Sequence, residues 1–287
     1  MNLPPFKITL PAKWVLTGEH SVLRGVPAVA LPHPHLRLTL EFIPDPVRGA
    51  LQVRPAHTQE MLVQLLSEIL PPHQMQLLSG ELILDSQIPI GAGMGSSAAL
   101  CVALTEWLAP WLPLRSDQII EFATQLEHKF HGKSSGMDVA VIASQMPISF
   151  QMNRGSRGIQ KLDVSHLPRF TFHDTGIRSS TRDCIHQVSA FRKEHPEKAE
   201  WVDQRMGAAS LKAIEGLKKF DRGETKEALE LLQHAIQEAQ QCFHDWQLIP
   251  DAAQRLEQDL YAQGALAVKL TGAGGGGMMI ALWSGSS

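Results

Sequence analysis

Hydrophobic and polar positions alternate over the first forty residues in the manner of β-strands. The alternation covers residues 6–10 and 36–42, and shorter apolar runs occupy 14–16 and 29–31. Because successive side chains of a strand point to opposite faces, this period of two predicts an antiparallel, half-exposed sheet. Residues 82–84 predict a further strand that leads directly into a glycine-rich loop.

A period near 3.6 residues marks the helices. The clearest apolar stripe consists of Leu229, Leu232, Ile236, Ala239 and Phe243, and it indicates a buried core rather than a cofactor surface. The predicted helical segments are 60–70, 117–131, 182–193, 200–220, 225–246 and 252–263.

A polar, glycine-bearing stretch at residues 153–158 separates a first part with strands and helices from a mainly helical second part. Such stretches are typical of domain boundaries. We therefore predict two domains, 1–165 and 166–287, in a mixed α+β fold.

The composition limits the classes of partner. The 287 residues are 44% hydrophobic and 19% charged, which is enough for a sizeable core, and the net charge of −3 offers no general attraction to nucleic acid or to an anionic membrane. No apolar run is long enough to span a bilayer, and residues 1–7 lack a secretory signal pattern. We therefore expect a cytoplasmic protein, and the weak net charge means that any anion site is local, which fits a small phosphorylated ligand best. The three cysteines are widely spaced, so we expect reduced thiols.

The most informative segment is the glycine-rich loop at residues 89–100, which runs into an apolar, alanine-rich helix. Glycines allow close backbone approach, and the N–H groups at a helix start attract negative charge, so the loop predicts a phosphate cradle. Ser96 and Ser97 fall where the helix begins. Their hydroxyls could cap the helix or face a phosphate-bound magnesium ion.

A second glycine run, residues 272–277, lies between two predicted strands at 265–270 and 278–283. A hairpin needs only one or two glycines, so this run indicates that something approaches its backbone closely, with a loose turn as the alternative.

The histidine pairs His33/His35 and His128/His131 lack further ligands at a zinc-site spacing, which disfavours a metal site there.

Three segments, 11–20, 91–99 and 269–277, together resemble the GHMP kinases in kind and order. The resemblance spans nearly the whole chain. It implies an N-terminal α/β domain that contains a mixed sheet with helices, a ferredoxin-like C-terminal domain, and ATP-dependent phosphorylation of a small-molecule hydroxyl or acid. Ala12, Met94 and Ser134 depart from the family pattern, but none of these departures removes a reacting group.

Within this superfamily, segments 18–25 and 127–138 look most similar to the mevalonate kinases, and segment 177–182 is a looser match. The resemblance implies mevalonate and ATP as partners, with 5-phosphomevalonate as product. A related kinase acting on another acceptor, such as a sugar or phosphomevalonate, and a catalytically silent nucleotide-binding sensor remain as alternatives. A homodimer is left open.

The resemblance also implies roles for individual residues. Asp138 takes the proton of the accepting hydroxyl or orients it, Lys13 pairs with Asp138, and Glu127 holds Mg²⁺ together with Ser97 or Ser96. The residues implied to bind ATP are Gly91, Ala92, Gly93, Met94, Gly95, Ser96, Ser97 and Ala98. The residues implied on the acceptor side are Glu19, His20, Thr181, Gly272 and Ala273.

Each reacting group also has an ordinary structural interpretation. Lys13 could be a solvated strand lysine, Glu127 a helix-surface acid, and Asp138 a cap for the helix that follows it. Their coincidence within three motifs of one family favours the catalytic interpretation.

Overall fold

The computed structural model describes residues 3–112, 114–131, 134–153 and 156–286. The strands are β1 (Phe6–Thr17), β2 (Ala28–Pro44), β3 (Leu51–Arg54), β4 (Gly80–Ser86), β5 (Ile148–Asn153), β6 (Ser156–Lys161), β7 (Pro168–Asp174), β8 (Ala267–Leu270) and β9 (Met278–Ser286). The helices are α1 (Gln59–Ile69), α2 (Pro72–Met75), α3 (Ser96–Leu108), α4 (Ile119–His131), α5 (Met137–Ser144), α6 (Thr181–Glu194), α7 (Pro196–Asp221), α8 (Thr225–Asp245) and α9 (Asp251–Ala262).

The first sheet is organised around the long strand β2. This strand pairs antiparallel with β1, with β4 through residues 38–44, and with β5 through residues 28–30. Strand β3 joins β4 in parallel, and β6 joins β5 in an antiparallel hairpin. The strand order is β3-β4-β2-β5-β6, with β1 also on β2, so this is a mixed sheet as predicted.

The second sheet is antiparallel, with order β7-β9-β8. Helices α8 and α9 pack against β8, and α7 packs along α8. Among the described residues this sheet has three strands, whereas the ferredoxin-like pattern βαββαβ has four. The mixed α+β class predicted from the sequence is confirmed.

Most of the polar stretch at 153–158 belongs to the paired strands β5 and β6, in which Asn153 pairs with Ser156. Arg154 and Gly155 lie outside the described residues. The main hydrophobic cluster combines side chains from both sides of the predicted boundary, including Leu16 and Leu104 with Leu217 and Ile280. The division at residue 165 therefore remains a prediction.

The expected half-exposed sheet is wrong for the second half of β1. Residues 6–9 alternate in exposure, but every residue from Leu10 to Thr17 is buried. Strand β1 contacts α3 and α5 and also α7 and α8, and the burial of every residue in its second half shows that both faces are covered there. Helices that follow much later in the sequence bury the face that a local pattern leaves exposed.

The predicted thiol state and the helix positions agree with the structure. Cys101, Cys184 and Cys242 are buried and free of disulfide bonds. The predicted helix at 117–131 is divided into a 3-10 turn at Ser116–Gln118 and α4, and the other predicted helices match to within a few residues at each end. In the described ranges, no helix has both the length and the apolar character needed to cross a membrane.

Helices α7 and α8 approach closely at Gly216. A Cβ atom there would lie 2.8 Å from Leu232 Cγ and 3.2 Å from the Ala228 carbonyl oxygen. We expect Gly216→Ala to lower the free energy of unfolding, because overpacking costs about 1–3 kcal/mol, against a helix-propensity gain of about 1 kcal/mol. Urea denaturation of the purified variant measures the difference.

Gly207→Ala is the matched control in the same helix. Its added Cβ would meet only the tip of Val26, at 3.2 Å, so we expect a neutral or stabilising effect. Equal stabilities of the two variants would contradict the close-packing explanation.

Candidate active site

A cavity of about 860 Å³ opens between β1, the two glycine loops, and the starts of α5 and α6. The sequence-predicted site residues that line it are Lys13, Glu19, His20, Gly91, Gly93, Met94, Gly95, Ser96, Ser97, Glu127, Asp138, Thr181, Gly272 and Ala273. Ala92 and Ala98 do not line it, because their side chains are packed in the hydrophobic core. The fold thus brings residues 260 positions apart in the sequence to one cavity.

The first glycine loop ends where α3 begins. Gly95 is the N-cap residue of α3 and has a left-handed backbone, with φ of +77°. Ser96 and Ser97 therefore occupy the first two helical positions, and neither is the N-cap that the structural alternative required. The N–H groups of a first helical turn lack intrahelical acceptors and form an anion-binding end.

Gly95 also makes room for Lys13. A Cβ at Gly95 would lie 2.8 Å from Lys13 Cγ and 3.1 Å from Lys13 Cε. The backbone N–H of Lys13 donates to the Met94 carbonyl oxygen at 3.0 Å. Strand β1 and the glycine loop are consequently held edge to edge.

Lys13 and Asp138 form an ion pair, with 2.8 Å between Nζ and Oδ2. The Lys13 side chain is only 4% exposed, so it is not a solvated strand lysine, while the Asp138 side chain is 29% exposed toward the cavity. Asp138 lies in the first turn of α5, whose N-cap is Gly136. The pair places a fixed positive charge beside a carboxylate that solvent or a ligand can reach.

Glu127, near the end of α4, is buried and is not a helix-surface acid. One of its carboxylate oxygens accepts a hydrogen bond from Ser134 Oγ at 2.6 Å. Burial raises the pKa of Glu127 to about 7, and the negative charge of Asp138 adds to this effect. A cation near Glu127 would offset this accumulation of negative charge.

The residues at this point fit a magnesium ion. Carboxylate and hydroxyl oxygens are the ligands that Mg²⁺ prefers, and it is commonly held by one or two carboxylates together with substrate phosphates. In the parts of the chain that the structure describes, no three His, Cys, Asp or Glu side chains converge to hold a metal by themselves. Phosphate oxygens would therefore have to complete the coordination around Glu127.

His33 and His128 each have a ring nitrogen in contact with protein atoms. Nδ1 of His33 accepts the backbone N–H groups of His35 and Leu36, at 3.1 and 3.0 Å, so its lone pair is already used. His128 Nε2 lies 3.2 Å from the Ser134 carbonyl oxygen. The side chain of His131 lies outside the described part of the structure.

His20 and Glu19 form the opposite wall. His20 Nε2 donates to the Ala273 carbonyl oxygen at 2.8 Å, and its ring lies 5.2 Å from the Trp246 ring. Burial lowers the pKa of His20 to about 4, so the imidazole is neutral near pH 7. Glu19 is buried and forms an ion pair with Lys269 of β8. Thr181 lines the cavity as the first residue of α6.

The second glycine run is not a loose turn, because other parts of the chain approach it closely. A Cβ at Gly272 would lie 3.1 Å from Gly93 Cα, and one at Gly277 would lie 2.7 Å from the Ala92 carbonyl oxygen. Side chains of Leu248 and Phe243 crowd Gly274 in the same way. The expected close approach is confirmed, and the approaching groups are protein atoms, which belong to the first glycine loop at Gly272 and Gly277 and to other segments at the glycines between them.

Sequence reasoning missed one side of the cavity. The residues on that side come from the 3-10 turn before α1, from α1 itself and from the end of β4, and no sequence motif marks them. The missed residues include Pro55, His57, Thr58, Met61, Asp85 and Ser86. Lys269 was part of a recognised motif, but no sequence signal assigned it to Glu19.

Comparisons with known proteins give consistent results. Residues 59–145 match the family described as GHMP kinases N terminal domain. The chain is 29% identical to the mevalonate kinase of Thermococcus gammatolerans, covering 95% of this chain and 87% of that protein. It is 29% identical to the mevalonate kinase of Pyrococcus horikoshii, with coverage of 96% and 88%.

Among solved structures, the chain is similar to that of L. major mevalonate kinase in complex with R-mevalonate. The TM-score is 0.75 at 21% sequence identity, and the match covers 97% of this chain and 87% of that one. A likeness at this level of identity shows that the fold is shared.

The lowered pKa of His20 predicts a pH-dependent stability. Between pH 6.5 and about 4, His20 is protonated in the unfolded chain and neutral in the folded chain. The wild type should therefore lose about 1–2 kcal/mol of unfolding free energy on this account as the pH falls from 7 to 5. Above pH 6.5 the contribution is constant.

His20→Gln keeps a side-chain amide donor for Ala273 and removes the titrating group. Urea denaturation of both proteins at pH 7 and pH 5 isolates the His20 contribution, since His33 and all other titrating groups are common to both. An identical loss of stability in the two proteins would contradict the lowered pKa of His20.

Proposed function

We propose that this chain, which belongs to the GHMP kinases, phosphorylates mevalonate with ATP to give 5-phosphomevalonate. The similarity to proteins named mevalonate kinase over 95% of the chain supports this choice of acceptor. The observation that carries the proposal is the Lys13–Asp138 ion pair, which faces the same cavity as the start of α3. A kinase of this type needs an anion cradle, a fixed cation and a carboxylate at the accepting hydroxyl.

The chemical step follows from these positions. The primary hydroxyl oxygen of mevalonate forms a bond to the γ-phosphorus of ATP while the bond from that phosphorus to the β,γ-bridging oxygen breaks, releasing ADP. Asp138 takes the hydroxyl proton, and the ammonium of Lys13 stabilises the negative charge on the oxygens around the transferring group. The backbone from Gly91 to Ala98 at the start of α3 would hold the phosphates.

Glu127 and Ser97, or its neighbour Ser96, would hold Mg²⁺ on the phosphate side. When bound, the ion neutralises phosphate charge and favours displacement of ADP. Ser134 keeps one oxygen of Glu127 in place by its hydrogen bond, which leaves the other oxygen for the cation.

On the acceptor side we assign Glu19, His20, Thr181, Gly272 and Ala273. Because His20 donates through Nε2 and is neutral, its Nδ1 carries a lone pair that can accept a hydrogen bond from a substrate hydroxyl.

Residues 1–165 would form the ATP-binding domain and 166–287 the second domain. Three free, buried thiols fit a reducing compartment such as the cytoplasm.

A coupled ADP-release assay tests the acceptor assignment. Mevalonate, galactose, homoserine and phosphomevalonate are offered in parallel with ATP and Mg²⁺, and we expect turnover with mevalonate. Turnover of another acceptor but not of mevalonate would reject the substrate, and ATP binding without ADP release from any acceptor would indicate a silent sensor.

Removing either member of the ion pair tests the mechanism. We expect Asp138→Asn and Lys13→Met each to lower kcat by about 10² or more, because general base catalysis and charge stabilisation are lost. Steady-state ADP release measures kcat, and circular dichroism checks that the variants fold.

Asp163→Asn and Lys161→Met are the matched controls, because both residues are exposed and lie outside the cavity lining. Their kcat should equal that of the wild type. Wild-type activity in Asp138→Asn would contradict the role proposed for the carboxylate.

A further inference from the structure

Lys269 of β8 is completely buried behind the cavity wall. Its ammonium forms an ion pair with Glu19 Oε1, donates to the Leu270 carbonyl oxygen, and lies 4.7 Å from the centre of the Phe243 ring. An ammonium has three N–H donors, and a carboxylate, a carbonyl and an aromatic face together satisfy them. Lys269 is therefore held in one orientation.

Glu19 carries the other half of this arrangement. Its side chain is 4% exposed and lines the cavity, and its second oxygen, Oε2, is buried without a hydrogen-bond partner among the described residues. Burial raises the pKa of Glu19, while the nearby ammonium of Lys269 opposes that rise. A buried acceptor that lacks a partner costs free energy unless a ligand supplies a donor.

Lys269 itself does not line the cavity, so it can influence a ligand only through Glu19. A buried ion pair is a weak source of stability, since well-packed apolar side chains of similar volume often stabilise a fold equally well. Here the pair lies directly behind the wall that Glu19, His20 and Ala273 form. This position indicates that the ion pair serves to orient Glu19 in the cavity wall.

We propose that Lys269 is a positioning residue, which holds one oxygen of Glu19 from behind and presents the other as a fixed acceptor for a hydroxyl group of the acceptor substrate. The proposal rests on the proposed function for the identity of that substrate. A carboxylate oxygen accepts a hydrogen bond from a hydroxyl and repels another carboxylate, so the contact selects the hydroxyl-bearing part of the molecule.

Lys269→Met tests the role, because it keeps the length of the side chain and removes the charge. We expect the KM for mevalonate to rise about 10- to 100-fold, as for loss of a hydrogen bond to a charged group, with a smaller change in kcat and no change in the KM for ATP. Equal changes in both KM values would indicate general loosening of the fold and would overturn the proposal.

A double-variant cycle shows whether Lys269 acts through Glu19. Glu19→Gln alone should raise the KM for mevalonate, and adding Lys269→Met to it should raise the KM no further. This double variant also removes both buried charges, so the comparison remains decisive if Lys269→Met alone fails to fold. A further tenfold rise in the double variant would overturn the proposal.

Lys219→Met is the control, because that ammonium pairs with Glu224 and Glu227 on the surface, at 2.6 and 2.8 Å, and does not line the cavity. Its KM values should match the wild type. Wild-type turnover decides the proposed function separately, and the variants are then measured with whichever acceptor the wild type phosphorylates.

Discussion

The ion pair between Lys13 and Asp138 is the interaction on which the geometry of the cavity depends. A buried ammonium is tolerated only with a partner, and Asp138 provides it from the first turn of α5. The side chain of Lys13 can lie there because Gly95 has no Cβ. The backbone N–H of Lys13 also donates a hydrogen bond to the carbonyl oxygen of Met94. One residue of β1 thereby brings the glycine loop and α5 together, and the charge of Asp138 in turn acts on Glu127.

Local periodicity was sufficient to predict most helices and strands. The stripe of α8 and the alternation at the start of β1 depend on neighbours within a few residues, and both elements are present. The alternating segment 6–10 and the apolar run 14–16 form one strand, β1, whose second half is buried on both faces. That burial depends on α7 and α8, which follow about 200 residues later, and a local pattern contains no information about such contacts.

The site was predictable where its chemistry is carried by glycines and charged residues in recognisable segments. Lys13, Glu127 and Asp138 were identified in this way, and they line one cavity. The partnership of Lys269 with Glu19 was not predictable, because these residues are 250 positions apart. Ala92 and Ala98 were assigned to ATP with their neighbours, but the side chain of Ala92 in the loop and that of Ala98 in the first turn of α3 are buried in the core.

The two glycine loops pack backbone to backbone, with Gly93 against Gly272 and Gly277 against Ala92. No side chain lies between them that could be shortened, so the cavity cannot be enlarged on this side by a smaller side chain. A descendant of this chain that adapts to a bulkier acceptor would have to gain its space elsewhere. The start of α6 is a wall with side chains that can be shortened, and Thr181, Arg182 and Ile185 there line the cavity. On this scaffold, new acceptor specificity is therefore expected to evolve through walls built from side chains, such as the start of α6, while the glycine loops can change only as a pair.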